Sequence, residues 1–390
     1  MAQTTHVLST QRQHVSSIKQ PDPQWLNLYL EAGLRDTPAY SVPIPNVGTK
    51  LDQNESPYDW PAELKTSIAE KLASMPWNRY PSAYAEDLAD RVAHYAGVPK
   101  GSVLLAPGSN YLISLLLSLF ARRAPGKVVI ARPSFALYES HCRYEGIPYL
   151  PWDLDHDLEY DLSALPTLPS GSLLIFASPN NPVGNALSSD KLETLLKRHP
   201  DSLIIADEAY FEFADTPYTK LLEQYENLIL IRTFSKTMGA AGIRLGYIVA
   251  AQTYIQHMMK LRLPFLINHF TLAAATEVLQ QPKLLESFDR TVNEIKIQRR
   301  EVFNQLSALS EQTPGLLKIK ESQANFLLLR FQTTPLAKEF DRRLVQHGVL
   351  IRDVSNGPGL QGCLRMTIGT HAENDLFLRG ARAILPTLKI

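Results

Sequence analysis

"LILIRTFSKTMGAAGIRLGYIVA" occupies residues 228–250. Two short apolar runs, 228–231 and 247–250, bracket a lysine, Lys236, set among small residues and followed by an arginine, Arg244. Runs of this kind with no polar alternation read as strands buried on both faces. The same texture recurs in "VLLA" (103–106), "VVIA" (128–131), "LLIFA" (173–177) and "LIIA" (203–206), with helix-length segments between most of them. The pattern predicts an α/β fold: a large domain with a mostly parallel sheet covered by helices on both faces. Ligands of such sheets bind beyond the carboxyl ends of the strands, so the residues just after each run carry the functional information.

Outside this core the chain changes character. The first residues, 1–20, are polar and read as a flexible arm, and 21–60 as a segment that joins a smaller domain. Residues 61–270 form the expected large domain, and 271–390 the small α+β domain with "NFLLLRF" and "CLRMTIGT" as strands. The stretch 148–169, rich in proline and acid, reads as a surface connection.

Composition narrows the function classes. The 390 residues are 45% hydrophobic and 20% charged, ordinary for a soluble globular chain. Lys plus Arg and Asp plus Glu both number 39, so no net field favours a polyanion, and nucleic acid is not an expected partner. Cys142 and Cys363 are the only cysteines, which fits a reducing cytoplasm rather than a disulfide framework. The most apolar run, "LISLLLSLFA" at 112–121, is about half the length of a membrane span and reads as a buried helix. The acidic loop 153–161 has Leu158 where a calcium loop needs glycine, and the histidines form no H-E-x-x-H cluster, so no metal site is expected.

The strand ends carry a coherent set of side chains. "VLLA" is followed by Gly108, Ser109 and Asn110, a glycine turn opening a helix, whose backbone N–H groups suit a phosphate. "LLIFA" leads to Asn181, "LIIA" to Asp207 and Tyr210, and "LILI" to Ser235, Lys236 and Arg244. Enclosure lowers a lysine pKa and lets it form a Schiff base with an aldehyde. An aspartate facing a pyridine nitrogen keeps that ring protonated and electron-poor. Asparagine and tyrosine suit a phenolate oxygen, while Ser235 and Arg244 add donors to a phosphate. Each has a plainer reading too: Asp207 as a cap, Asn181 as a turn residue, Arg244 as a buried ion pair.

Taken together, "PGSN", "SPNNPVG", "DEAY", "SKTMGAAGIRLGY" and "LRMTIGT" resemble the class I/II aminotransferases of fold type I. The resemblance spans residues 54–370 and implies the pyridoxal-phosphate-dependent transferase fold. It implies that Lys236 holds pyridoxal 5′-phosphate covalently and moves the proton between the substrate Cα and the cofactor. By the same resemblance Asp207 meets the pyridinium nitrogen, and Tyr210 and Asn181 the ring oxygen. Gly108, Ser109, Asn110, Ser235 and Arg244 hold the phosphate, Phe135 stacks on the ring, and Arg365 takes the substrate carboxylate. Tyr80 of "NRYP" reaches the phosphate from a partner subunit, which implies a homodimer. Phe135 stands where the family commonly has tyrosine, so any hydroxyl function there is lost.

Within the class, "KLDQNESPY", "SQANFLLLRF" and "GVLIRDVSN…GCLRMTIGT" resemble the histidinol-phosphate aminotransferases of amino-acid biosynthesis. Arg352 and Arg365 offer two anion sites, which suit a phosphorylated amine and 2-oxoglutarate in turn. Threonine-phosphate decarboxylases, and an aminotransferase or cyclase of a specialised pathway, remain alternatives. Asn54 and Asn325 recur in the signatures, and Asn54 is read as structural. A nicotinamide enzyme would need a G-x-G-x-x-G turn after the first strand, and none is present.

Overall fold

The computed structural model describes residues 17–36, 47–215 and 217–388. Most of the expected arm, 1–20, lies outside the described residues. The large domain is built on a seven-stranded sheet in the order Val103–Ala106, Gly246–Val249, Leu228–Thr233, Leu203–Asp207, Leu173–Ala177, Val128–Arg132, Leu150–Asp153. Gly246–Val249 runs antiparallel to both its neighbours, and every other pairing is parallel.

Side chains of successive strand residues point to opposite faces. Leu174, Phe176, Ile204, Ala206, Leu228 and Leu230 join one apolar cluster, which also takes Leu88, Val92, Leu192 and Ala274 from helices. Leu173, Ile175, Ile205, Ile229 and Ile231 join another, with Leu112, Ile113, Leu116 and Tyr138. Both faces are therefore dry, which is why these strands carry no polar alternation.

The segment 148–169 departs from the expectation of a surface connection. Leu150–Asp153 is the edge strand of the sheet, paired in parallel with Val128–Arg132. Pro151 is tolerated because an edge strand need not donate on its outer side. Its neighbour Trp152 is fully buried against Tyr160 and Phe176. The carboxylates of the acidic loop serve local structure: Asp153 pairs with Arg132, Asp155 accepts from the backbone of Asp157 and Glu159, and Asp161 caps Leu162–Ala164.

The smaller domain has a four-stranded antiparallel sheet ordered Arg352–Asp353, Cys363–Thr367, Phe326–Phe331, Leu317–Lys320. A two-residue strand, Thr49–Lys50, pairs in parallel with Val349–Leu350. The expected border at 270/271 falls inside the helix His269–Leu279, whose Ala273, Ala274 and Val278 pack in the core of the large sheet. The change of core occurs along the next helix, Pro282–Gln312, where Leu284, Leu285 and Phe288 touch the first core while Val292, Ile295 and Val302 belong to the second.

Candidate active site

Three neighbouring parallel strands deliver Asn181, Asp207 and Lys236 to one edge of the sheet. Asp207 is the last residue of Leu203–Asp207, and Lys236 lies three residues past Leu228–Thr233. Strands this close bring side chains from distant sequence positions to one spot.

Asp207 is buried, at 4% exposure. Tyr138 Oη donates to its Oδ2 at 2.7 Å, and the backbone N–H of Ala209 donates to its Oδ1 at 3.1 Å. Burial pushes its carboxyl up to about 6, while the Tyr138 hydrogen bond pulls it down. Tyr138 therefore favours the ionised carboxylate near neutral pH.

Lys236 Nζ donates to the Gln53 carbonyl at 3.1 Å and lies 5.8 Å from the centre of the Tyr210 ring. Desolvation first, then the positive charges of Arg365 and Arg244, lower its pKa to about 8 from an ordinary 10.5. A share of the amine is unprotonated at neutral pH, which a nucleophile or base requires.

Tyr210 is buried, and its Oη accepts from Asn54 Nδ2 at 2.9 Å. Asn181 Oδ1 accepts from the Arg365 guanidinium, which also donates to the Asp52 carbonyl at 2.6 Å. Arg352 stands directly opposite Arg365 in the antiparallel ladder, which puts both side chains on one face of the small sheet.

The helix Ser109–Phe120 starts at Gly108, with φ at 87° and no side-chain cap, so its first N–H groups face the strand ends. Arg244, itself at φ 58°, lies against Gly108, where an added Cβ would collide with the guanidinium. Arg244 Nη1 reaches the Ala241 carbonyl at 3.0 Å and Ser235 Oγ at 3.5 Å. An open helix start, a guanidinium and a hydroxyl make an anion cradle. An anion cradle, an amine and a buried carboxylate at strand ends of one sheet fit a flat ring that carries a phosphate at one end and a basic nitrogen at the other.

Phe135 packs edge-on to Tyr138 at 5.8 Å, beside the Asp207 carboxylate. Asn110 is exposed at the helix start. Tyr80 stands apart, 80% exposed and stacked on Phe265 at 4.6 Å, so within one chain it is a surface residue. Two partners were missed from sequence: Tyr138, whose signal is its place one helical turn after Phe135, and Asn54, read as structural yet bonded to Tyr210.

The family "Aminotransferase class I and II" matches residues 46–380, and the chain belongs to it. It is an aminotransferase of that class, and its nearer resemblance is to histidinol-phosphate aminotransferases. One such protein, from Thermococcus gammatolerans, is 33% identical over 347 residues, covering 88% of this chain and 94% of that one. The structure of histidinol-phosphate aminotransferase from Sinorhizobium meliloti in complex with pyridoxal-5′-phosphate matches with a TM-score of 0.76 at 23% identity, covering 88% of this chain and 92% of that one. L-threonine-O-3-phosphate decarboxylase from Porphyromonas gingivalis shares the fold with a TM-score of 0.72 at 24% identity, covering 87% of this chain and all of that one, at 100%. Among the described residues no helix is long and apolar enough to cross a membrane.

Proposed function

We propose that this chain transfers the amino group of L-histidinol phosphate to 2-oxoglutarate with pyridoxal 5′-phosphate as cofactor. The observation that carries the substrate reading is the register of Arg352 against Arg365. Two guanidinium groups on one face of a sheet offer two anion sites, which suit a donor phosphate and an oxo-acid carboxylate. A phosphate monoester offers two charges and several acceptors to one such guanidinium. Names given to relatives such as the Thermococcus protein point the same way.

Bound cofactor supplies an electron-poor ring that stabilises negative charge at the substrate Cα. Lys236 would hold it covalently through Nζ and, as a free amine, would take the substrate Cα proton. Its pKa near 8 suits it to accept and return that proton near neutral pH. Asp207, whose carboxylate accepts from Tyr138, would hold a proton on the ring nitrogen. Tyr210 and Asn181 would meet the ring oxygen, and Phe135 would pack on the ring. Gly108, Ser109, Asn110, Ser235 and Arg244 bind the cofactor phosphate. Arg365 binds the oxo-acid carboxylate, and Arg352 the donor phosphate.

The active unit in this reading is a homodimer. Trp77, Tyr80 and Leu263 are 72%, 80% and 61% exposed, an apolar surface suited to a second copy that would carry Tyr80 to the neighbouring phosphate. Residues 21–60 are taken to belong with the small domain, a reading supported by the pairing of Thr49–Lys50 with Val349–Leu350. The cytoplasm is the proposed location, in keeping with two buried free thiols.

The test is the visible absorbance of the cofactor-loaded protein. L-histidinol phosphate alone should bleach the band, and 2-oxoglutarate should restore it. A band that ignores this donor removes the substrate. The two arginines also fit a second reading, in which one substrate bears both phosphate and carboxylate. Carbon dioxide released from threonine phosphate would favour that decarboxylase.

A further inference from the structure

The hydroxyl of Tyr210 has one proton and must send it somewhere. Its oxygen accepts from Asn54 Nδ2 at 2.9 Å. Asn54 is 1% exposed and its backbone sits at φ 53°, a conformation that asparagine tolerates better than most residues. The amide is held by Thr367 through a reciprocal pair: Asn54 N–H donates to Thr367 Oγ1 at 2.9 Å, and Thr367 Oγ1 donates to Asn54 Oδ1 at 3.0 Å. Asn325 Nδ2 donates to the Asn54 carbonyl at 3.1 Å and fixes the backbone. With Oδ1 engaged by Thr367, the amide NH2 is the group that meets Tyr210.

We propose that Asn54, locked by Thr367, is a positioning residue that turns the Tyr210 hydroxyl into a one-way donor aimed at the ring oxygen of the cofactor. The inference rests on the proposed cofactor site and goes beyond it, because it gives direction to the Tyr210 proton and assigns that direction to Asn54 and Thr367. Thr367 closes the strand Cys363–Thr367, and it lies on the same face as Arg365, two residues back. The strand that carries the carboxylate-binding arginine thus also sets the hydroxyl on the far side of the site. Buried polar groups linked in series hold one another in a single arrangement, so the loss of one member loosens the next.

Donation to the ring oxygen stabilises its negative charge and so favours loss of the proton shared with the lysine nitrogen. The test is the pH midpoint of the visible band in protein loaded with pyridoxal 5′-phosphate. Thr367→Val is close in shape and removes only the hydroxyl. Asn54→Gly removes the amide and accepts φ 53° without strain, so it guards against a folding failure. Each should move the midpoint up by about 0.5–1 pH unit, the scale of one loosened hydrogen bond. In a Tyr210→Phe background the same changes should move it no further, since the effect passes through that hydroxyl. Equal shifts with and without the Tyr210 hydroxyl would reduce Asn54 to a structural residue. No shift for either variant, with Tyr210→Phe still shifting, would overturn the positioning role and leave the cofactor site standing. If Tyr210→Phe itself leaves the midpoint in place, Tyr210 does not meet the ring oxygen, and both readings fall together.

Discussion

The two walls of the site are built differently. The floor comes from the ends of adjacent parallel strands in the large sheet, and it holds Asp207, Ser235 and Lys236. The roof comes from the small sheet and the segment before residue 60, and it holds Arg352, Arg365, Thr367 and Asn54. Asp207 is fixed by the same ladder that makes the core, and Ser235 and Lys236 sit in the turn just after the neighbouring strand. Arg352, Arg365 and Thr367 lie in the ladder of the small sheet, and Asn54 is tied to it across more than three hundred residues by its side-chain bonds with Thr367. Chemistry common to every substrate belongs on the rigid wall, and discrimination among substrates on the other.

That contrast can be broken by experiment. Lys236→Ala should lower turnover by about 10⁴-fold or more for every amino donor, because it removes both the covalent tether and the proton carrier. Multiple turnovers retained by this variant, measured with any donor, would end the assignment. Arg352→Ala should raise the KM of a phosphorylated donor by about 10–100-fold, the scale of a lost charge-assisted hydrogen bond, and leave that of 2-oxoglutarate nearly unchanged. Steady-state kinetics with both substrates decides this, and equal losses would remove Arg352 as the phosphate contact.

Tyr138→Phe sharpens the description of the floor. Loss of its hydrogen bond should raise the Asp207 pKa above about 6 and move the acid limb of the kcat profile to higher pH. The fall in kcat at neutral pH should be about tenfold, with KM little affected, as read from a pH–rate series. An unmoved acid limb would assign Tyr138 to packing alone.

The smallest effect concerns Glu212, a half-buried acid bonded to Thr237, the residue after Lys236. Its Oε1 accepts from Thr237 at 2.9 Å, its Oε2 has no partner among the described residues, and burial raises its pKa to about 8. A folded-state pKa above the ordinary 4.5 means that the stability it contributes is full below pH 4.5 and is lost as pH rises through 8. Glu212→Gln removes that titration. Its Tm should therefore fall less than that of the parent protein between pH 6 and 9, measured on cofactor-free protein. Parallel Tm curves would show that the acid is solvated or ionised throughout.

Legibility from sequence follows the same division. Runs such as "LIIA" and "LILI" are apolar because both sheet faces are dry, so their ends, and with them Asp207 and Lys236, could be located from pattern alone. Leu150–Asp153 escaped because an edge strand needs only one buried side chain, Trp152, and tolerates Pro151. Asn54 and Tyr138 escaped for another reason: their partners are chosen by the fold, and no local spacing joins Asn54 to Tyr210. Arg352 and Arg365 were legible as candidates, but their direct opposition depends on a strand register that the sequence leaves open.

The helix Pro282–Gln312 has 31 residues and extends about 46 Å at the usual rise. It begins in one core and ends in the other, so it acts as a shared beam rather than a joint. Any rocking of the roof over the floor must flex that beam, and the elastic restoring force of a continuous hydrogen-bonded rod returns the two walls to the same spacing after each cycle.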